Sequence, residues 1–203
     1  MLNIEPIKLL SGSHGDTAQT GSGCFMNVIA YLNGEPQITD ESPCVCRSIR
    51  KPAIWINDFL NDSERHLLLP FVQRAMGTAT DDEVVLRQRS EVVLEYIRDL
   101  TALADRFKPN RSAAGSAALS LHLAEMAMSY SNAPSKSVAL MGQLAANAAD
   151  YAARVSNGAA DRKALVDRSL AFMDSVCPAA DTPSRLLIER ANRLLELATT
   201  RVE

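Results

Sequence analysis

Apolar positions recur at helical spacing along most of the chain, in two styles. Beyond residue 78 they form long rows. Val85, Val92, Tyr96, Ile97, Leu100, Leu103 and Phe107 share one face of a helix that Thr80-Asp81-Asp82-Glu83 opens as a capping box and Pro109 closes. At 1.5 Å per residue that helix is about 40 Å long. A second helix is predicted from near Ser112 to the residue before Pro134. A third covers residues 135–157, with Leu140, Leu144, Ala148, Tyr151, Ala152 and Val155 on one stripe and Asn157-Gly158 at its end. A fourth spans residues 161–177 and stops at Pro178, and a fifth begins with Thr182 as cap and Pro183 at the first helical position. Alanines crowd residues 113–160, which lets helix axes approach closely.

The first 78 residues break into shorter pieces. Phe25, Val28, Ile29 and Leu32 fall at i, i+3, i+4 and i+7, a short amphipathic helix ended by Asn33-Gly34. Residues 11–23 ahead of it form a polar loop with four glycines, and residues 35–52, with three prolines, read as irregular. Pro52 suits the first turn of a helix through Leu60. Asp62 or Ser63 caps the next helix, whose Leu67, Leu68 and Leu69 run into Pro70. The expected fold is therefore mainly α: an irregular, short-helix head over residues 1–78, followed by an antiparallel, Ala-rich helical bundle over 79–203, the two also readable as one continuous domain. Leu186, Leu187, Leu194, Leu195 and Leu197 exceed what one narrow stripe needs. They point to a homodimer seam, with a broad core-facing surface as the commoner explanation.

Composition removes several function classes. With 203 residues, 47% hydrophobic and 22% charged, the chain has the make-up of a globular protein. A net charge of -3 leaves no broad nucleic-acid face, only room for a local basic site. No apolar run approaches the roughly 18 residues of a membrane span, and the first residues lack the pattern of a secretory leader, so a cytoplasmic protein without membrane contact is expected. In that setting Cys24, Cys44, Cys46 and Cys177 are free thiols or ligands and not a disulfide framework.

Three chemistries compete for the head. The soft and imidazole ligands Cys24, Cys44, Cys46 and His14, or His66 in its place, are of the types that bind zinc, but Cys44-Val45-Cys46 is not the C-x2-C of common zinc knuckles, so no cofactor is favoured and zinc stays the alternative. Cys24 at a predicted helix N-terminus, with His14 upstream as base, would be a nucleophile of a hydrolase. The third chemistry is anion binding. Ser11, Ser13, His14, Thr20 and Ser22 supply donors ahead of a helix, and Arg47 and Arg50 follow in sequence. The lysine of a nucleotide-hydrolysing P-loop is missing.

The order Ser11-Gly12-Ser13-His14, Gly23-Cys24-Phe25-Met26, Gly34-Glu35, Asp40, Pro43-Cys44, Trp55-Ile56-Asn57-Asp58, Arg65 and Leu68-Leu69-Pro70 is similar to a family of hypothetical proteins from actinobacteria and their phages, over about the first 78 residues. Members usually carry Glu where this chain has Asn27, which removes the carboxylate an acid-base role there would need. The resemblance implies a module boundary, helices downstream, and convergence of His14, Cys24, Glu35, Asp40, Cys44, Asn57, Asp58 and Arg65, without a mechanism. A phage setting would imply counter-defence, by sequestering a nucleotide signal or binding a host protein. The leading expectation is a non-enzymatic binding protein with a polar pocket for a small anionic or nucleotide-like ligand, built from Ser11, Ser13, His14, Thr20, Ser22, Cys24, Asp40, Arg47, Arg50, Asn57, Asp58 and Arg65. A Cys24/His14 hydrolase or zinc enzyme is the first alternative. A protein-protein inhibitor acting through the bundle surface is the second.

Overall fold

The computed structural model describes residues 2, 4–107, 111–130 and 134–200. Among these the fold is mainly helical: α1 Thr17–Thr20, α2 Phe25–Asn33, α3 Arg47–Phe59, α4 Leu69–Ala75, α5 Glu83–Phe107, α6 Arg111–Tyr130, α7 Pro134–Val155, α8 Ala159–Val176 and α9 Arg185–Thr199, with a 3-10 turn at Arg65–Leu68 just before α4. The predicted stop at Pro109 lies outside the described residues. No helix among the described residues is long and apolar enough to cross a membrane.

The chain divides into two compact units, and not in sequence order. The first comprises Met1–Cys46, Ile56–Ala79 and Cys177–Glu203; the second comprises Arg47–Trp55 and Thr80–Val176. The last helix therefore belongs with the beginning of the chain and not with the bundle.

In the second unit α5 packs against α6, α7 and α8. Small residues mark the close contacts: Ala117, Ala124, Ala145, Ala148, Ala149 and Ala152 are fully buried. A Cβ on Gly142 would lie 2.8 Å from the carbonyl oxygen of Arg47, so α7 meets the first turn of α3 backbone to backbone. Tyr96 of α5 stacks on Phe172 of α8 with centroids 4.2 Å apart, and its hydroxyl shares a 2.9 Å hydrogen bond with Ser169. Leu140, expected on the buried stripe of α7, is instead 47% exposed; the burial there falls on Val138, Met141, Leu144 and the alanines.

Several helix ends differ from the sequence-based expectation. Asp82, not Thr80, caps α5, accepting from the backbone of Val84 at 2.8 Å and Val85 at 3.2 Å. Glu83 does not reach back to complete a capping box; it accepts from the amide and hydroxyl of Ser135 at the start of α7. Ser184, one residue past the expected Thr182-Pro183 start, caps α9 by accepting from Leu187 at 3.2 Å. Pro52 lies inside α3 and does not open it. The apolar row Ile49, Ala53, Ile56 is fully buried and extends the helix back to Arg47, which outweighs the one ladder bond a proline removes. Pro70 likewise does not stop a helix but sits in the first turn of α4, where its missing N–H is harmless.

In the first unit, α2 is almost wholly buried and is held by α4 and α9. Two glycines admit α9. Gly21 (φ +69°) closes α1 where the backbone of Leu197 and Ala198 passes, and Gly34 (φ +76°) closes α2 beneath the guanidinium of Arg190, which donates to the carbonyl of Leu32 at 3.0 Å. Both carry the left-handed backbone that a side chain would strain, and both face an element that leaves a Cβ no room.

Candidate functional site

Residues 11–23 were expected to offer donors to an anion; in the structure several of these donors bond to the chain itself. The carboxylate of Asp58, on the last turn of α3, accepts from the Ser11 hydroxyl at 3.0 Å, the Gly12 amide at 2.8 Å and the Asn57 side chain at 3.1 Å. Asn27 accepts through its side-chain oxygen from the amides of His14 at 2.7 Å and Cys24 at 3.3 Å. Three further polar groups of the loop bond within it: Thr17 to the carbonyl of His14 at 2.7 Å, Thr20 to that of Ser22 at 2.9 Å, and His14 Nε2 with the carbonyl of Ser11 at 2.8 Å. Ser13 is exposed on the loop. An internal carboxylate thus stands where an external anion would have been held, and its charge opposes a second one.

Asn57 is the hub beneath this loop. Fully buried, it donates to the carbonyl of Leu10 at 2.8 Å and accepts from the amide of Phe25 at 3.1 Å, while Arg65 donates to its backbone carbonyl at 3.0 Å and pairs with Asp62. Ser11, His14, Cys24, Asn57, Asp58 and Arg65 are therefore gathered in one network. Arg47 and Arg50 lie on the part of α3 that belongs to the second unit.

The thiol of Cys24 does not have the chemistry expected at a helix N-terminus. It caps α2, accepting from the Asn27 amide at 3.4 Å, yet its pKa is pushed up from 9.0 to about 11. Burial is the main cause; the amides of Asn27 and Met26 pull the other way, and the nearby carboxylates of Asp40 and Asp58 add to the rise. Burial thus favours the neutral thiol over the thiolate, and His14 has its imidazole on the carbonyl of Ser11. Cys44 and Cys46 have different surroundings. The Cys44 thiol lies 3.1 Å from the Ser42 hydroxyl, which bonds Glu35, and the Cys46 amide donates to Thr78 at 3.0 Å. Among the described residues no group of three or more His, Cys, Asp or Glu side chains is placed to hold a metal, so His14, Cys24, Cys44 and Cys46 do not assemble a zinc site there.

A concave site lies elsewhere in the same unit. A cavity of about 460 Å³ is lined by Leu2, Ile4, Glu5, His66, Leu69, Pro70 and Gln73. One wall is a helical row, His66, Leu69, Pro70 and Gln73 at i, i+3, i+4 and i+7 across the 3-10 turn and α4; the other is the N-terminal segment. Gln73 fastens the two. It accepts from the Leu2 amide at 2.9 Å and donates to the carbonyl of Asp181 at 2.7 Å.

No family model, curated protein or solved structure matches the chain.

The row of four was visible in the sequence, but treating Pro70 as a stop cut it in half, and nothing local placed Leu2 and Ile4 opposite it. Ile4, Leu69 and Gln73 are buried and form a floor, whereas Glu5, His66 and Pro70 are exposed and form a rim. A mainly apolar floor with a few polar groups at the mouth is the usual construction of a small-molecule pocket.

Proposed function

We propose that this protein is a binding protein whose N-terminal unit takes a small molecule in the cavity beside α4. The observation that carries this reading is the cavity itself: about 460 Å³, apolar at the floor and polar at the rim, within the size range of ligand pockets. The network around Asp58 and Asn57 then serves to hold the N-terminal segment in place, because Leu10 is bonded to both Asn57 and Gly23. Titration with the neutral fluorophore N-phenyl-1-naphthylamine tests it. One saturable site is expected, lost in His66→Trp, which narrows the mouth from an exposed position. Absence of saturable binding to the unaltered protein would reject the reading.

A second reading, action on a protein partner through the bundle surface, is favoured by a different observation. Leu119, Leu123 and Met126 on α6 stand at i, i+4 and i+7 and are 57%, 40% and 41% exposed. Sedimentation of the protein beside a Leu119→Glu, Leu123→Glu variant reads out whether this row serves a second copy of the chain. A sedimentation coefficient that does not depend on concentration in either protein counts against that use.

A further inference from the structure

We infer that the ligand class of this cavity is an amine carried on an apolar body; the inference rests on the small-molecule reading above and gives it a sign. Of the polar groups that line the cavity, Gln73 is engaged at both ends of its amide, by the Leu2 N–H and the Asp181 carbonyl, and so is part of the wall. Glu5 and His66 remain, and neither side chain makes a hydrogen bond or ion pair among the described residues. Both are exposed lining residues on opposite walls, one on the N-terminal segment and one on the 3-10 turn.

The chemistry of that pair selects the ligand. A carboxylate only accepts hydrogen bonds, so a group meeting Glu5 must donate. Neutral imidazole offers a lone pair to the same donor. An ammonium supplies several N–H groups and a positive charge, and a charge-assisted bond is about twice as strong as a neutral one. The apolar lining of Leu2, Ile4, Leu69 and Pro70 lowers the local dielectric and sharpens the preference. No lysine or arginine is among the described lining residues, so a carboxylate or phosphate head would meet the repulsion of Glu5 with only the His66 imidazole to offset it. The ligand expected from this cavity is thus opposite in charge to the one expected from the loop of residues 11–23.

The test uses three compounds with one eight-carbon tail: octylamine, octan-1-ol and octanoate. Isothermal titration should rank them amine, alcohol, carboxylate, with about a five- to tenfold advantage of amine over alcohol, the scale of a partly exposed charged contact. In Glu5→Gln the advantage should disappear while the alcohol binds as before; in Glu91→Gln, an exposed acid on α5, the ranking should be unchanged. Equal binding of amine and alcohol, or an advantage that survives Glu5→Gln, overturns the amine inference and leaves the cavity reading standing. Failure of all three compounds to bind, together with no binding of the neutral fluorophore, overturns the cavity reading itself.

Discussion

Two polar regions of the first unit differ in one respect. Around Asp58 and Asn57 most donors and acceptors meet a partner from the chain itself; at the rim of the cavity Glu5 and His66 meet none among the described residues. The first region has the residue types of a binding site and the second has few of them. Residue type names the bonds a group can make, and only the fold decides whether those bonds are already made. Glycines, hydroxyls and a histidine ahead of a helix are equally the composition of a phosphate cradle and of a loop closed on its own carboxylate.

The largest test of this contrast is Asn57→Ala. It leaves the buried amide of Phe25 and the carbonyl of Leu10 without their partner, so a loss of about 3–4 kcal/mol is expected in urea unfolding. A loss below about 1 kcal/mol would mean that the network is not structural. Next in size is a pH effect. Below pH 9 the Cys24 thiol is protonated in both folded and unfolded chains; between pH 9 and about 11 only the unfolded chain releases the proton, so stability falls as pH rises through that window. The loss amounts to about 2–3 kcal/mol at 1.36 kcal/mol per pH unit. Cys24→Ala should flatten the profile from pH 9 to 10. Above that the buried Tyr96, whose pKa is also raised by burial, adds a decline of its own. Thiol labelling at pH 8 should likewise be much slower at Cys24 than in the unfolded chain.

Smaller changes sharpen the comparison from the other side. Asp58→Asn keeps one acceptor oxygen and removes the charge, for about 1 kcal/mol of stability, and inorganic phosphate should raise the melting temperature of the unaltered protein no more than chloride does at equal ionic strength. A clear phosphate-specific rise would return the anion site to the loop. At the rim, His66→Trp and Glu5→Gln should alter stability by no more than about 0.5 kcal/mol, since both positions are exposed, while changing ligand binding.

The helical class of the fold was legible because periodic apolar rows and punctuation such as Asn33-Gly34 and Pro178 act locally. Helix starts were harder to place. Thr80, Asp82, Thr182 and Ser184 are all capping types within a few residues of one another, and the choice fell to Asp82 and Ser184 once Glu83 was drawn to Ser135 and α9 began at Arg185. Pro52 and Pro70 were both read as boundaries because a proline forbids little in a first turn and its cost deeper in a helix is set by what the flanking row buries. The candidate site was less legible still. Asp58 meets Gly12 across 46 positions and Gln73 meets Asp181 across 108, and no local pattern encodes such pairings.

The return of α9 to the unit that contains the first residues has a consequence for biogenesis. As the ribosome works from one end to the other, the four long helices of residues 80–176 are all available to collapse before Arg190 can reach Leu32 or Ala198 can lie across Gly21. The part of the molecule translated earliest is the part completed last, and until then the nascent chain must keep the apolar surface of α2 from meeting its neighbours on the polysome.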